Sequence, residues 1–341
     1  MTLVSRSAVD GWYPSSFKSV KKLLGPSALG APGLPPTIMS QGFTPKPLLG
    51  DTAERDVRVG PTAHYTAYAW FRLGMPYAEW FKTETGARLF WSLRFGVEWV
   101  TSVTQSVPRL IDYLELRHRS IDHTLARLGP DRVVELGAGL SRRGVTWALD
   151  HGVDYVEVDL PQMIDAKKRL LLRFPKAIRS TLDERLSLLS ADVLAPDFEA
   201  WLAERLEGSQ RPVVIAEGLL GYFDTGERQR LASAIAGALR RSQQVQRYSA
   251  SFLCDLRVRS EASKTRVAVG AMRAAIRVVT RGRGAREDFT SEAAIYRLFT
   301  SAGFDAARPI DPAQVPELNS GLLEQIPMRV WHFTLTPSGS S

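Results

Sequence analysis

The chain has 341 residues, 44% of them hydrophobic and 23% charged, with a formal net charge of +8. That is enough to bury the core of one large domain or two small ones. No apolar run approaches the ~18 residues of a transmembrane helix, and the first twenty residues lack the apolar stretch of a secretory signal. The single cysteine, Cys254, excludes an intramolecular disulfide and leaves no basis for a cysteine metal site. A reducing cytoplasm is the expected compartment, and neither a metal nor a membrane is expected as a partner.

Residues 1–60 hold seven of the 20 prolines, all before residue 50. Proline removes a backbone donor and fixes φ, so this stretch predicts an extended arm rather than long helices or central strands. Residues 61–130 form a second region, in which eleven aromatic residues fall between Tyr65 and Trp99. Their spacing suits helices, and the region predicts a helical cap whose aromatics mostly pack as core while some shape a pocket.

From residue 131 to 341 the pattern alternates between strand and helix. Candidate strands are Arg132–Leu136, Tyr155–Val158, Leu186–Leu189, Val213–Glu217 and Tyr248–Leu253. A final pair is expected near Phe304–Arg308 and Arg329–Leu335. Candidate helices are Gln162–Phe174, Thr225–Leu239 and Ser291–Ala302. The fold class is α/β, with a mostly parallel seven-stranded sheet covered by helices on both faces. Residues 256–286 read as a basic helical insertion. From Arg240 to Arg286 there are eleven arginines and Lys264 against Asp255 and Glu261, an excess larger than that of the whole chain. Such a surface suits an anionic substrate or partner, or is simply a solvated helix face.

The chemistry begins at Glu135-Leu136-Gly137-Ala138-Gly139. A glycine turn after the first strand lets the backbone approach a ligand, and Asp159 after the second strand suits ribose hydroxyls. A dinucleotide fingerprint needs a small sixth residue, but Arg142 stands there, which disfavours a nicotinamide dehydrogenase. Glu135, Asp159, Asp192 and Glu217 fall at the ends of successive strands, where a parallel sheet binds ligands. Four acids disfavour phosphate and favour a cation carrying a sugar, as in S-adenosylmethionine. Each acid alone could equally be a helix cap or a solvated loop end.

At these residues the sequence resembles the leucine carboxyl methyltransferase family, including its bacterial branch of small-molecule and polyketide O-methyltransferases. The resemblance rests on Arg117-His118-Arg119-Ser120-Ile121-Asp122, on Val134-Glu135-Leu136-Gly137-Ala138-Gly139-Leu140, on Tyr155-Val156-Glu157-Val158-Asp159-Leu160-Pro161 with Lys167 beyond, and on Ala216-Glu217-Gly218-Leu219-Leu220-Gly221-Tyr222-Phe223. It implies a Rossmann-like class I methyltransferase fold and S-adenosylmethionine as cofactor. It also implies roles: Arg117 on the methionine carboxylate, Gly137, Ala138 and Gly139 against the methionine portion, Asp159 and Leu160 at the ribose. Asp192 and Val193 would flank the adenine, and Glu217 would lie near the ammonium, with Glu135 beside the ligand. The family has Asp where this chain has Ser141, so no role carries over there. Lys46 is a possible counterpart of the family's N-terminal lysine.

Methyl transfer from a sulfonium needs a nucleophile placed behind the methyl group. A carboxylate acceptor is already ionised, whereas a phenol or alcohol needs a base. None of the five histidines lies in a catalytic motif. His118, next to Arg117, is the candidate base, and Tyr222 could reach the acceptor. The arginine excess and the lack of an evident base favour a carboxylate on an anionic, partly apolar small molecule, which an acidic carrier protein could deliver. A nucleic-acid methyltransferase using residues 240–286 is one rival; a non-catalytic S-adenosylmethionine-binding protein is another.

Overall fold

The computed structural model describes residues 52–95, 109–242, 248–259, 288–318 and 326–336. The chain divides into two units, residues 1–52 and 53–341. The expected arm lies outside the described residues as far as residue 51. From Thr52 the backbone is already helical, so the arm does not extend to residue 60.

Among the described residues four helices make the cap: α1 (Thr52–Arg72), α2 (Ala78–Phe81), α3 (Glu84–Leu93) and α4 (Leu110–Leu128). Helix α1 runs through Pro61. Helix α3 starts where the Thr83 hydroxyl accepts the Gly86 amide at 3.0 Å. Helix α4 starts where the Asp112 carboxylate accepts the Arg109 amide at 2.7 Å, and it stops at Gly129, whose φ is 54°. The aromatic run is largely core, as expected. Tyr65, Trp70, Phe81 and Phe90 are buried, Tyr65 stacks on Phe90 at 5.6 Å, and Trp80 stacks on Phe174 at 4.7 Å.

The sheet has seven strands: β1 (Arg132–Leu136), β2 (Asp154–Asp159), β3 (Leu186–Ser190), β4 (Pro212–Ala216), β5 (Ala250–Arg257), β6 (Ala306–Pro309) and β7 (Met328–Leu335). Their order is β3-β2-β1-β4-β5-β7-β6. All neighbours are parallel except β7, which runs antiparallel to both β5 and β6. This is the arrangement expected of a Rossmann-like class I methyltransferase. The connecting helices are α5 (Arg143–Asp150), α6 (Pro161–Leu171), α7 (Lys176–Arg185), α8 (Phe198–Leu206), α9 (Thr225–Ser242) and α10 (Glu292–Ser301).

Strand alternation decides what each face buries. Val134, Leu136, Val158, Val214 and Phe252 pack against α8, α9 and α10. Val133, Tyr155, Val213, Ile215 and Leu253 face α4 and α5, where they meet Ile121, Leu125 and Trp147. Glu135 shares the second face with Val133, and that fixes its fate in the site. Strand β5 is longer than its apolar run predicts. Its ladder with β7 continues from Ala250 opposite Leu335 to Arg257 opposite Met328. The first two residues assigned to the basic insertion are therefore strand, and 260–287 lie outside the described residues.

Candidate functional site

The turn after β1 is built by two glycines with positive φ, Gly137 at 64° and Gly139 at 54°. The amides of Gly137 and Ala138 donate to the Val158 carbonyl at 2.8 and 3.2 Å. The Gly139 amide donates to the Asp159 carboxylate at 2.6 Å, and the Leu160 amide donates to its other oxygen at 2.7 Å. A side chain at Gly137 would meet Leu219 at 3.0 Å, so the loop after β4 closes directly on this turn. Asp159 and Leu160 are half-buried, whereas Asp192, beyond β3, is exposed and accepts the Leu194 amide at 3.0 Å. Gly137, Ala138, Gly139, Asp159 and Leu160 thus form one surface, with Asp192 and Val193 following the neighbouring strand.

Beneath that surface lies a buried ionic network. Arg143, at the start of α5, is fully buried. Its guanidinium donates to Asp122 at 2.6 Å, to Glu135 at 2.6 Å and to Glu217 at 2.5 Å. Arg142 pairs with Asp122 and donates to His118 Nε2 at 3.2 Å. With Nε2 accepting, a neutral imidazole carries its proton on Nδ1, which lies 2.9 Å from the Glu217 carboxylate and 2.8 Å from Arg143 Nη2. Tyr155 donates to the second oxygen of Glu135 at 2.7 Å. Arg117 closes the set by donating to Glu217 at 2.9 Å.

Burial and charge set the protonation states here. Burial, and then the Arg143 charge, push His118 down to about 4, so the ring is neutral at pH 7. Burial alone would raise Glu217; His118, Arg143 and Arg117 instead hold it well below the carboxylate range. Asp122 is likewise held low against burial by Arg142 and Arg143. Glu135 moves the other way, because burial outweighs Arg143. Lys167 is also buried, donating to the Ser141 carbonyl at 2.6 Å and pairing with Glu157.

This network revises two sequence expectations. His118 is completely buried, with its ring 4.7 Å from that of Trp70. A neutral ring hydrogen-bonded on both nitrogens is a structural part, not a base open to an acceptor. Glu135 is 2% exposed, and both of its oxygens are taken by Arg143 and Tyr155. It therefore supports the turn from behind rather than touching a ligand. Arg142 folds inward, onto Asp122.

A cleft opens on the cap side of Arg117, between α1, α4 and the ends of β4 and β5. Its walls include Thr62, Tyr65, Tyr113, Tyr222, Asp255 and Arg257, with Phe289 and Met328 as apolar lining. Gly218, with φ of 68°, is required at its floor, because a side chain there would meet the Arg117 guanidinium at 2.8 Å. The Gly218 amide donates to Asp255 at 2.5 Å. Tyr222 stands in the wall, and burial raises its pKa, so its hydroxyl stays protonated. Arg143, Asp255, Arg257 and Tyr113 had not been singled out as site residues. The available signal was an arginine pair following a tight glycine turn, where charge must find a buried partner. Lys46 lies outside the described residues.

Residues 74–236 match the family model of leucine carboxyl methyltransferase. No curated protein matches the chain. Similar solved structures include a Thermobifida fusca protein described as a methyltransferase, with 17% identity over 80% of this chain and 94% of that one, at a TM-score of 0.48. An O-methyltransferase family protein from Burkholderia thailandensis is 15% identical over 82% and 73%, at 0.43. Human N-acetylserotonin methyltransferase is 13% identical over 84% and 68%, at 0.41.

Proposed function

Residues 74–236 match the leucine carboxyl methyltransferase family, and on that premise we propose that the chain transfers a methyl group from S-adenosylmethionine to a carboxylate oxygen of a small, partly apolar acid. The residues fit the cofactor. The Gly137–Gly139 turn leaves backbone open to a ligand, Asp159 offers a half-exposed carboxylate beside it, and Arg117 retains 18% side-chain exposure at the cleft. Nothing in this set is arranged for a pyrophosphate, since Arg142 is turned into the core.

When bound, S-adenosylmethionine supplies an electrophilic methyl group whose transfer releases a neutral thioether. Arg117 would hold the methionine carboxylate, and Asp159 the ribose hydroxyls. Glu217 stays ionised and keeps Arg117 in place through the 2.9 Å contact. An aromatic cap over the bound cofactor would exclude water, which favours a step that neutralises charge.

The observation that carries the carboxylate reading is the chemistry of the cleft wall. Among the described residues no histidine lines it, and its side-chain donors are arginines and the hydroxyls of tyrosine and threonine. Asp255 already accepts the Gly218 amide. An ionised acceptor needs donors and no base. The test is calorimetry with S-adenosylmethionine, followed by methyl transfer to a panel of carboxylic acids and phenols. Binding is expected, with methyl esters as products. Asp159→Ala should weaken cofactor affinity roughly tenfold by removing a charged hydrogen-bond partner. Unchanged affinity in that variant, or methyl ethers as the sole products, would contradict the reading.

A further inference from the structure

Arg257 is the last residue of β5 and shares its face with Asp255, two residues earlier, so both side chains reach the cleft. Its Nη1 is buried and has no hydrogen-bond partner among the described residues. The neighbouring cations are committed. Arg117 donates to Glu217 at 2.9 Å, and Arg228 donates to the Leu220 carbonyl at 3.0 Å. A buried guanidinium N–H without an acceptor costs free energy that an arriving anion would recover.

We propose that Arg257 anchors the acceptor, and that the acceptor is a monocarboxylate with an apolar body; this rests on the methyl-transfer reading above and adds to it the residue and the substrate class. Two phenols stand in the field of Arg257. Burial raises the pKa of Tyr113 and of Tyr222, and the Arg257 charge draws each back. Both remain protonated donors at neutral pH, able to join Arg257 around one carboxylate. Asp288, another acid of the cleft, already has a partner of its own. Leu114, Phe289 and Met328 supply the apolar wall for the rest of the molecule. A second anionic group would meet Asp255 and Asp288, which is why one carboxylate fits better than two.

The experiment compares phenylbutyrate with phenylbutanol as probes of matched shape. Each is titrated by calorimetry into the full chain saturated with S-adenosylhomocysteine, for wild type, Arg257→Gln and Arg257→Lys. In wild type the acid should bind roughly tenfold or more tightly than the alcohol, the range of a charge-assisted hydrogen bond. Arg257→Gln should erase that preference, and Arg257→Lys should restore part of it. Equal binding of the two probes by wild type, a preference that survives in Arg257→Gln, or binding of neither probe would overturn the proposal. The wild-type comparison stands even if a variant fails to fold. S-adenosylhomocysteine binding separates the two readings: its failure defeats the cofactor assignment, whereas its success without an Arg257-dependent preference defeats this inference alone.

Discussion

His118 shows how little a single residue's identity says about its work. Beside Arg117 in sequence, it shares Glu217 with that residue and is enclosed by Arg142, Arg143 and Asp122 as well. Its pKa falls from 6.5 to about 4, so the folded state binds fewer protons than the unfolded chain between those values. Its contribution to stability is complete above pH 6.5 and is lost as the pH falls toward 4. The size is about 3 kcal/mol, from 1.36 kcal/mol per pKa unit. We expect His118→Asn to remove this dependence. The stability gap between wild type and variant, measured by urea unfolding, should narrow as pH drops through that window; a constant gap would show that His118 is not buried neutral. The glycine turn and Asp159 were legible because each is a strand-end feature of a distinctive type, whereas Arg117, inside α4, was legible only through the family resemblance. The destinations of Arg142 and Arg143 were not. Sequence marks them as charged, and only the three-dimensional positions of Asp122, Glu135 and Glu217 convert that charge into a buried network.

At the scale of elements, the strands were legible from their apolar runs, while helices α5, α7 and α8 were not picked out. Helix α7, Lys176–Arg185, buries only Leu182, so its sequence carries little apolar periodicity. The cap was legible as helical, but not how its helices meet. Helix α3 lies against α1 at Gly86, where a side-chain carbon would fall 2.2 Å from the His64 carbonyl oxygen. His64 Nδ1 also lies 2.9 Å from the Thr83 hydroxyl that caps α3. Gly86→Ala must therefore push the two helices apart, at a cost of about 1–3 kcal/mol. Denaturant unfolding checks this, and an unaltered midpoint would mean that α1 and α3 are not in contact there. The basic run divides in the same way. Arg240 pairs with Asp305 at 2.7 Å, Arg241 with Glu199 at 3.4 Å, and Arg257 enters the cleft. Arg240, Arg241 and Arg257 thus go to three separate places, and residues 260–287 of the basic run lie outside the described residues.

Across the whole molecule, the seven strands share one sheet whose two faces are both covered. Cys254 sits inside it on β5, completely buried, with burial pushing its thiol well above the ordinary range. Thiol labelling should therefore follow global unfolding, with little modification under native conditions; rapid labelling of the folded protein would show that β5 opens locally. The strand order carries a further consequence, for synthesis. Strand β7 follows the other described strands in the chain, yet it lies between β5 and β6. Until residues 328–335 have left the ribosome, β5 is an edge strand, and Phe252 lacks the Phe333 ring that stacks on it at 5.8 Å. Strand β6 has no other sheet neighbour to join. A nascent chain stalled before that point would display an unpaired hydrophobic edge, the surface that chaperones recognise and that chains use to aggregate.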